Sequence, residues 1–504
     1  IIYAFFQIYP LFNTFYLSTQ SNGSVITESV GTDNFRAILS GQGQKTDDNG
    51  NVYYAETRQA KAVRNDFFRV MKNTLILWFG NFIPQIIISL LLAAWFTDAY
   101  LKIKGKGFYK IVMYMPNIIT AASVAALFVM LFSDSQFGAI NKMLMNWGVD
   151  GAPYPFVTGK TQSRVMIMII QTWMWFGNTT IMLMSGIMGI NPSLFEAANI
   201  DGASASQQFF LITIPLLKPI MLYTMVTSMI GGLQMFDMPY LYNMGTSQNP
   251  YTETIAVFIY NHFHSLKPNY GYSAAASVLL FIVTALLGSI CFAVNRDKDN
   301  KVKERKGSKA LKIRTGLVTA VMILLAIISL LPIYVLIVNA TRASVDITGS
   351  GVSLIPHLKL FENIGTLNEW ASSNKVQYNA LIGYKNSGII AFSTTFLTVL
   401  FSCMTAYGLV VYDFKLKNVA YTIILAVMMI PVQVTSVGFY QFMSKLGLTD
   451  SYLPLIIPAI AAPAVVFFMR QSMKSNFPLE IVEAARIDGC NEYRTFFTIG
   501  IPMM

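Results

Sequence analysis

The sequence predicts an all-α membrane protein, a polytopic bundle of transmembrane helices built as two related halves. Three observations predict it. Composition is the first: 54% of residues are hydrophobic, 13% aromatic and only 12% charged, with a mean hydropathy of +0.50, far from the soluble average. The second is distribution, because the charges gather in short clusters between apolar runs of bilayer-spanning length. The third is repetition: "NPSLFEAANIDGASASQQFFLITIP" at 191–215 returns as "FPLEIVEAARIDGCNEYRTFFTIGIP" at 477–502.

Apolar windows of about 20 residues fall at 1–17, 71–96, 108–132, 164–189, 220–243, 272–294, 316–339, 386–410, 419–441 and 453–472. Their direction follows from charge. "LKIKGKGFYK" (101–110) and "NRDKDNKVKERKGSKALKIR" (295–314) are dense in Lys and Arg, which the positive-inside rule places in the cytoplasm. An even number of spans separates each basic stretch from each copy of the repeated loop, so both copies are expected to face the cytoplasm. Segments 18–70, 133–163, 244–271, 340–385 and 442–452 then face outward. The 18–70 stretch, rich in Ser, Gly, Asn and Asp, reads either as a small folded cap or as a loop. The net charge of +11 is spent at span ends, so nucleic acid is not an expected partner.

The two loops keep one spacing throughout. Glu196, Ala197, Ala198, Asp201, Gly202, Phe209, Phe210 and Pro215 map onto Glu483, Ala484, Ala485, Asp488, Gly489, Phe496, Phe497 and Pro502 at a constant offset of 287 (483 − 196). They differ where change reads as tolerable, with Arg486 in the place of Asn199 and Cys490 in the place of Ala203. The expected organisation is a first half over 1–294 with six spans, a basic cytoplasmic linker over 295–315, and a second half over 316–504 with four spans and its loop. The chain begins inside an apolar run and stops just after "TIGIP", so both ends read as truncated. No cleavable signal peptide is visible, which leaves the first span as the anchor.

Locally, "FEAANI" and "VEAARI" are helix-forming and each is stopped by Asp-Gly, where glycine adopts the left-handed conformation that ends a helix. A second short helix then carries the Phe pair until Ile-Pro breaks it. An exposed turn with a carboxylate and paired aromatics is expected to meet a protein partner, with packing of a Phe against the chain's own spans as the alternative. This pattern of E-A-A, three residues, Gly and a downstream Ile-Pro resembles the cytoplasmic coupling loop of the membrane subunits of bacterial ABC importers. "IPLLKPI" and "GYSAAASVLLFIV" resemble the first permease subunit of carbohydrate importers of the maltose type, and "MMIPVQVTSVGFYQFMSKLGLTDSYLPLIIPAIAAPAVVFFMRQSMKSNFPLEIVEAARIDG" resembles the second. Those subunits are ordinarily separate chains, so the sequence reads as a fusion of the pair, natural or artificial. A full second half of that kind carries two more spans beyond Pro502.

The resemblance implies a type I importer fold, two cytoplasmic ATPase subunits docking on the Glu196 and Glu483 loops, and an extracytoplasmic solute-binding protein that delivers a sugar or oligosaccharide. ATP and Mg would be bound by those partner subunits, and no cofactor is expected in this chain. The nearest phosphate-loop fragment is "GKT" at 159–161, which has Tyr154 where the pattern needs Gly. No catalytic constellation stands at a span face, so the chain is not expected to be an enzyme. The expected location is the bacterial cytoplasmic membrane, with the coupling loops and 295–315 inside.

Polar side chains within spans are costly in lipid and mark functional sites. Gln171, Trp175 and Asn178 share one helical face, and Gln234, Phe236 and Asp237 follow the Gly231-Gly232 pair, a place to loosen a helix. Amides and aromatics suit a carbohydrate, and the resemblance places the family's sugar site on these two spans; interhelical hydrogen bonding is the competing reading. Tyr240, Tyr242 and Asn243 are weaker candidates. His262 and His264 lack a third ligand, and Cys291, Cys403 and Cys490 are scattered, so no metal site is expected. A polyamine or glycerol phosphate importer stays open as an alternative, as does an ion-coupled secondary transporter, which would have no use for two Glu-bearing loops.

Overall fold

A computed structural model describes residues 8–20, 28–48, 50–98, 101, 103–243, 249–264, 269–294, 310–343, 353–373, 380–428 and 432–503. It is mostly helical. Among the described residues six helices are long and apolar enough to cross a membrane, or eight if each of two bent pairs is one span. Predicted spans 1–17 and 419–441 lie partly outside the described residues, as does most of the linker; the remaining helices there are Tyr9–Ser18, Lys417–Met428 and Val432–Lys445.

Several boundaries move. The span expected at 71–96 is the middle of a 40-residue helix, Arg58–Thr97, roughly 60 Å at about 1.5 Å per residue, twice what a bilayer core needs. The helix Ala310–Ala340 takes in 310–315, which the linker was expected to hold. The span expected at 108–132 is not straight: Lys106–Ile118 and Ala121–Leu131 meet at 90°. Ile119 and Thr120 are extended there, and the Thr120 hydroxyl accepts from the Ser123 N–H to start a new helix. The 18–70 stretch is a folded cap in its described part. Helix Asp33–Ser40 precedes an antiparallel hairpin, Gln42–Thr46 paired with Val52–Glu56 in the register Gln42 to Glu56. Asp33 accepts from the Tyr54 hydroxyl at 2.6 Å, and Arg36 lies 4.1 Å over the Tyr54 ring.

The chain packs as two compact units that do not follow the sequence halves: one is Ile1–Arg64, Ile259–Ala285 and Asn368–Met504, the other Asn65–Phe258 and Leu286–Leu367. In the first unit Tyr9–Ser18, from the first half, packs on Val432–Lys445, from the second; Asn13 donates to the Gly438 carbonyl at 3.2 Å. A Cβ on Gly438 would come within 2.4 Å of the Pro10 carbonyl oxygen, so the crossing requires a glycine. Ala380–Val411 packs on Pro463–Asn476 in the same unit.

In the second unit Lys106–Ile118 packs on both Lys160–Met188 and Ala310–Ala340. A Cβ on Gly177 would stand 1.9 Å from the Met113 carbonyl oxygen, which brings two backbones together as small residues do in lipid. Hydrogen bonds join Arg58–Thr97 to Lys160–Met188: Gln85 to the Thr179 hydroxyl at 2.7 Å, the Ser89 hydroxyl to the Phe176 carbonyl at 2.8 Å, and the Thr172 hydroxyl to the Asn81 carbonyl at 3.1 Å. Each such bond contributes about 1 kcal/mol in a membrane. Where Arg58–Thr97 runs past its apolar part, Arg69 pairs with buried Glu253 at 2.8 Å and donates to the Pro250 carbonyl.

Candidate functional site: the repeated loops

Each loop is the same chain of elements at an offset of 287 residues. Helix Pro192–Ile200 corresponds to Leu479–Ile487, Ala205–Gln208 to Glu492–Thr495, the π turn Phe209–Thr213 to Phe496–Gly500, and Ile214–Leu216 to Ile501–Met503. The Asp-Gly stop works as its chemistry requires. Gly202 has φ +84° and Gly489 +79°. The two N–H groups that follow Asp201 donate back into the helix, Gly202 to the Asn199 carbonyl at 3.0 Å and Ala203 to that of Ala198 at 2.8 Å. Gly489 to Arg486 and Cys490 to Ala485 repeat this at 3.1 and 2.9 Å. The next helix is capped by a side chain in both copies, Ser204 accepting from the Gln207 N–H and Asn491 from the Arg494 N–H.

Exposure repeats as well. Glu196 and Glu483, Ala197 and Ala484, and Asp201 and Asp488 are exposed, while Ala198 and Ala485 are buried. The Phe pairs divide between the two expected arrangements. Phe496 is buried against Tyr407, with ring centroids 5.2 Å apart, and Phe209 is half-buried; Phe210 and Phe497 stand outside. A helical pair of adjacent residues points about 100° apart, so one ring goes inward and one outward. Pro215 and Pro502 are exposed. What sequence reasoning missed is Ile200 and Ile487, 82% and 86% exposed, the residues before each Asp-Gly stop. Each lies four residues after the loop's glutamate and so on the same face of the helix, while Leu194 and Ile481, also exposed, lie on the other side. An isoleucine kept in water at the same place twice was the available signal.

The helices of each loop are braced differently. In the first, the Gln208 amide donates to the Asn199 side chain at 2.8 Å and to the Ala203 carbonyl at 3.1 Å. In the second, Arg486 pairs with Glu492 at 2.7 Å, and the Tyr412 hydroxyl, just past Ala380–Val411, donates to the other Glu492 oxygen. Arg486 and then Tyr412 hold the Glu492 carboxyl below its ordinary range. Partial burial, and then Glu492, push the Tyr412 hydroxyl up to about 12. Arg486 is half of a brace, as Asn199 is in the first loop.

The six residues of the expected substrate path lie on neighbouring elements of one unit. Gln171, Trp175 and Asn178 are on Lys160–Met188, with Trp175 exposed and the other two half-buried. That helix packs on Lys218–Leu233 and on Asp237–Tyr242. The helix path is interrupted between those two pieces, at Gln234, Met235 and Phe236; the Phe236 ring stacks on Tyr240 at 5.0 Å, and Asp237 is exposed. A Cβ on Gly232 would collide with the Trp78 ring at 2.1 Å, so that glycine serves a close packing contact beside the interruption. Tyr242 is fully buried and donates to the Phe156 carbonyl at 3.2 Å, and Asn243 pairs with Thr252 at 2.9 Å, which gives both structural roles. "GKT" is the start of Lys160–Met188, with Gly159 as its N-cap. His264 stacks on Tyr260 at 4.1 Å, Cys403 is buried and Cys490 half-buried.

The family model for the binding-protein-dependent transport system inner membrane component matches residues 74–300 and 398–504, one repeated loop in each match. The chain belongs to that family. It carries two copies of the permease domain in one polypeptide, and its apolar helices make it a multi-pass membrane protein. Among its relatives, the lactose transport system permease protein LacF of Rhizobium radiobacter is 31% identical over 233 residues, 46% of this chain and 77% of that protein. The arabinooligosaccharides transport system permease protein AraQ of Halalkalibacterium halodurans is 34% identical over 205 residues, 39% of this chain and 68% of that protein. A solved bacterial ABC transporter involved in import of the acidic polysaccharide alginate is 26% identical, covers 46% of this chain and 79% of its own, and has a TM-score of 0.41.

Proposed function

We propose that this chain is the membrane-spanning part of an ATP-binding-cassette importer that moves a sugar or oligosaccharide across the bacterial cytoplasmic membrane. The observation that carries the reading is the doubled loop, two copies with one backbone and one exposed set of side chains. The names of the permeases it resembles, for lactose and for arabinooligosaccharides, support a carbohydrate as cargo.

In this reading both loops lie in the cytoplasm and each docks into a cleft on one of two ATPase subunits. Glu196 and Glu483 pair with basic groups in the cleft, and Ile200, Ile487, Phe210 and Phe497 fill apolar hollows beside them. ATP and Mg bind those subunits, and the chain itself performs no hydrolysis. An extracytoplasmic solute-binding protein delivers the cargo to a path lined by Gln171, Trp175, Asn178, Gln234, Phe236 and Asp237. Amides there exchange hydrogen bonds with hydroxyls, and aromatic faces cover the sugar ring.

Uptake by proteoliposomes holding the complete transporter tests the cargo. A panel of labelled mono- and oligosaccharides, with glycerol phosphate and a polyamine as controls, should give ATP-dependent uptake of at least one carbohydrate. Uptake of a control alone contradicts the sugar assignment and spares the importer.

A further inference from the structure

The segment that follows the span Gly316–Ala340 carries an apolar face with no part in the transport reading. Helix Leu360–Ser373 has 14 residues, about 21 Å at about 1.5 Å per residue, too short to cross a core of about 30 Å. At about 100° per residue, Leu360, Phe361, Ile364 and Leu367 fall on one side, with Asn368 as its one polar position, and Glu362, Asn363, Thr366 and Glu369 on the other, with Trp370 among them. The apolar four are all exposed, Phe361 to 84%, and Leu358 just before them is 100% exposed.

The polar side fixes this helix in place. Asn363 donates to the Ala340 carbonyl at 3.0 Å and to that of Arg342 at 2.8 Å. The Lys359 N–H donates to the Thr341 carbonyl at 3.0 Å, and the His357 N–H to the Thr341 hydroxyl at 2.9 Å. Ala340 is where the apolar span ends. A helix pinned to residues 340–342 by two hydrogen bonds of its own and two from the residues just before it therefore lies at the depth where the chain leaves the hydrocarbon. Its apolar face, exposed among the described residues, suits an interfacial amphipathic helix, which sinks about 5–10 Å into the boundary of headgroups and acyl chains.

We propose that Leu358–Leu367 is a membrane-interface anchor, with Phe361 and Ile364 among lipid acyl chains and Glu362 and Glu369 toward water. The proposal requires that Gly316–Ala340 spans the bilayer and is independent of cargo and ATPase. The test uses the full chain in lipid nanodiscs with Cys291, Cys403 and Cys490 replaced by serine. A nitroxide is attached in turn to Phe361→Cys, Ile364→Cys, Glu362→Cys and Glu369→Cys. Collision with oxygen, which concentrates in hydrocarbon, is compared with collision with a water-soluble nickel chelate. The expected result is a several-fold higher oxygen-to-nickel ratio at 361 and 364 than at 362 and 369; Ile364→Cys carries the readout if Phe361→Cys does not fold. Equal ratios at all four positions overturn the proposal, and so does exclusion of both reagents from 361 and 364, the signature of a protein partner on that face.

Discussion

The two loops share a backbone and differ in what closes it. In the first a neutral amide pair, Asn199 and Gln208, spans the turn, and the brace is internal to the loop. In the second a charged pair, Arg486 and Glu492, spans the same turn, and Tyr412 extends it to the end of Ala380–Val411. The comparison separates two levels of instruction. A left-handed glycine and a capping side chain fix the shape, and they repeat. The bond between the helices only has to be present, and its chemistry is free to change.

The largest effect should separate the members of one Phe pair. Phe496→Ala empties a buried site beside Tyr407 and should cost about 3–5 kcal/mol, seen as a lowered Tm in detergent, whereas Phe497→Ala should stay within about 0.5 kcal/mol. Equal shifts would mean that the inward and outward assignment is wrong. Next come the exposed isoleucines. Ile200→Asp or Ile487→Asp should leave folding intact and weaken binding of an ATPase subunit by about 2 kcal/mol, roughly thirtyfold, measured by titration in nanodiscs. Similar losses at both positions would support equivalent handles, and loss at only one would break the symmetry.

Gly489→Val places a β-branched residue at φ +79° and should cost about 1–2 kcal/mol. No neighbour lies within 4 Å of a Cβ there, so Gly489→Asn, which tolerates that region, should recover most of the loss. The smallest effect distinguishes the braces by pH. Because the Glu492 carboxyl is held below its ordinary range, its stabilisation is fully present above the unfolded carboxylate pKa and is lost as pH falls through the lower folded value. An exposed pair of this kind is worth at most about 1 kcal/mol. Hydrogen exchange should show the second loop loosening in acid while the first does not, and Glu492→Gln should remove the difference.

Much of this was legible in the chain. Spans were visible because a bilayer demands a long apolar window, and the loops because five features kept one spacing. What the sequence hid depends on packing. In the apolar run 108–132 only Pro116 and the cap-forming Thr120 point to a break, and neither gives the 90° turn between the two helices. Asn81, Gln85 and Ser89 gain their role only from the facing helix, and Gly177 only from the carbonyl of Met113. At the loops the outlines of Glu196 and Glu483 could be read, but which Phe turns inward is set by the core behind it. Ile200 and Ile487 went unread because a single apolar residue in a polar stretch carries little weight until it is seen repeated on a surface.

The most direct test of the central claim, that two equivalent loops hold two ATPase subunits, is purification of the intact protein from membranes of its own host with its partners counted by native mass spectrometry. The account predicts two ATPase subunits per chain, one for each intact loop. Substituting Glu196→Ala with Ile200→Asp, or Glu483→Ala with Ile487→Asp, should remove one, and all four substitutions together should remove both. Two subunits retained by the fourfold variant would contradict it.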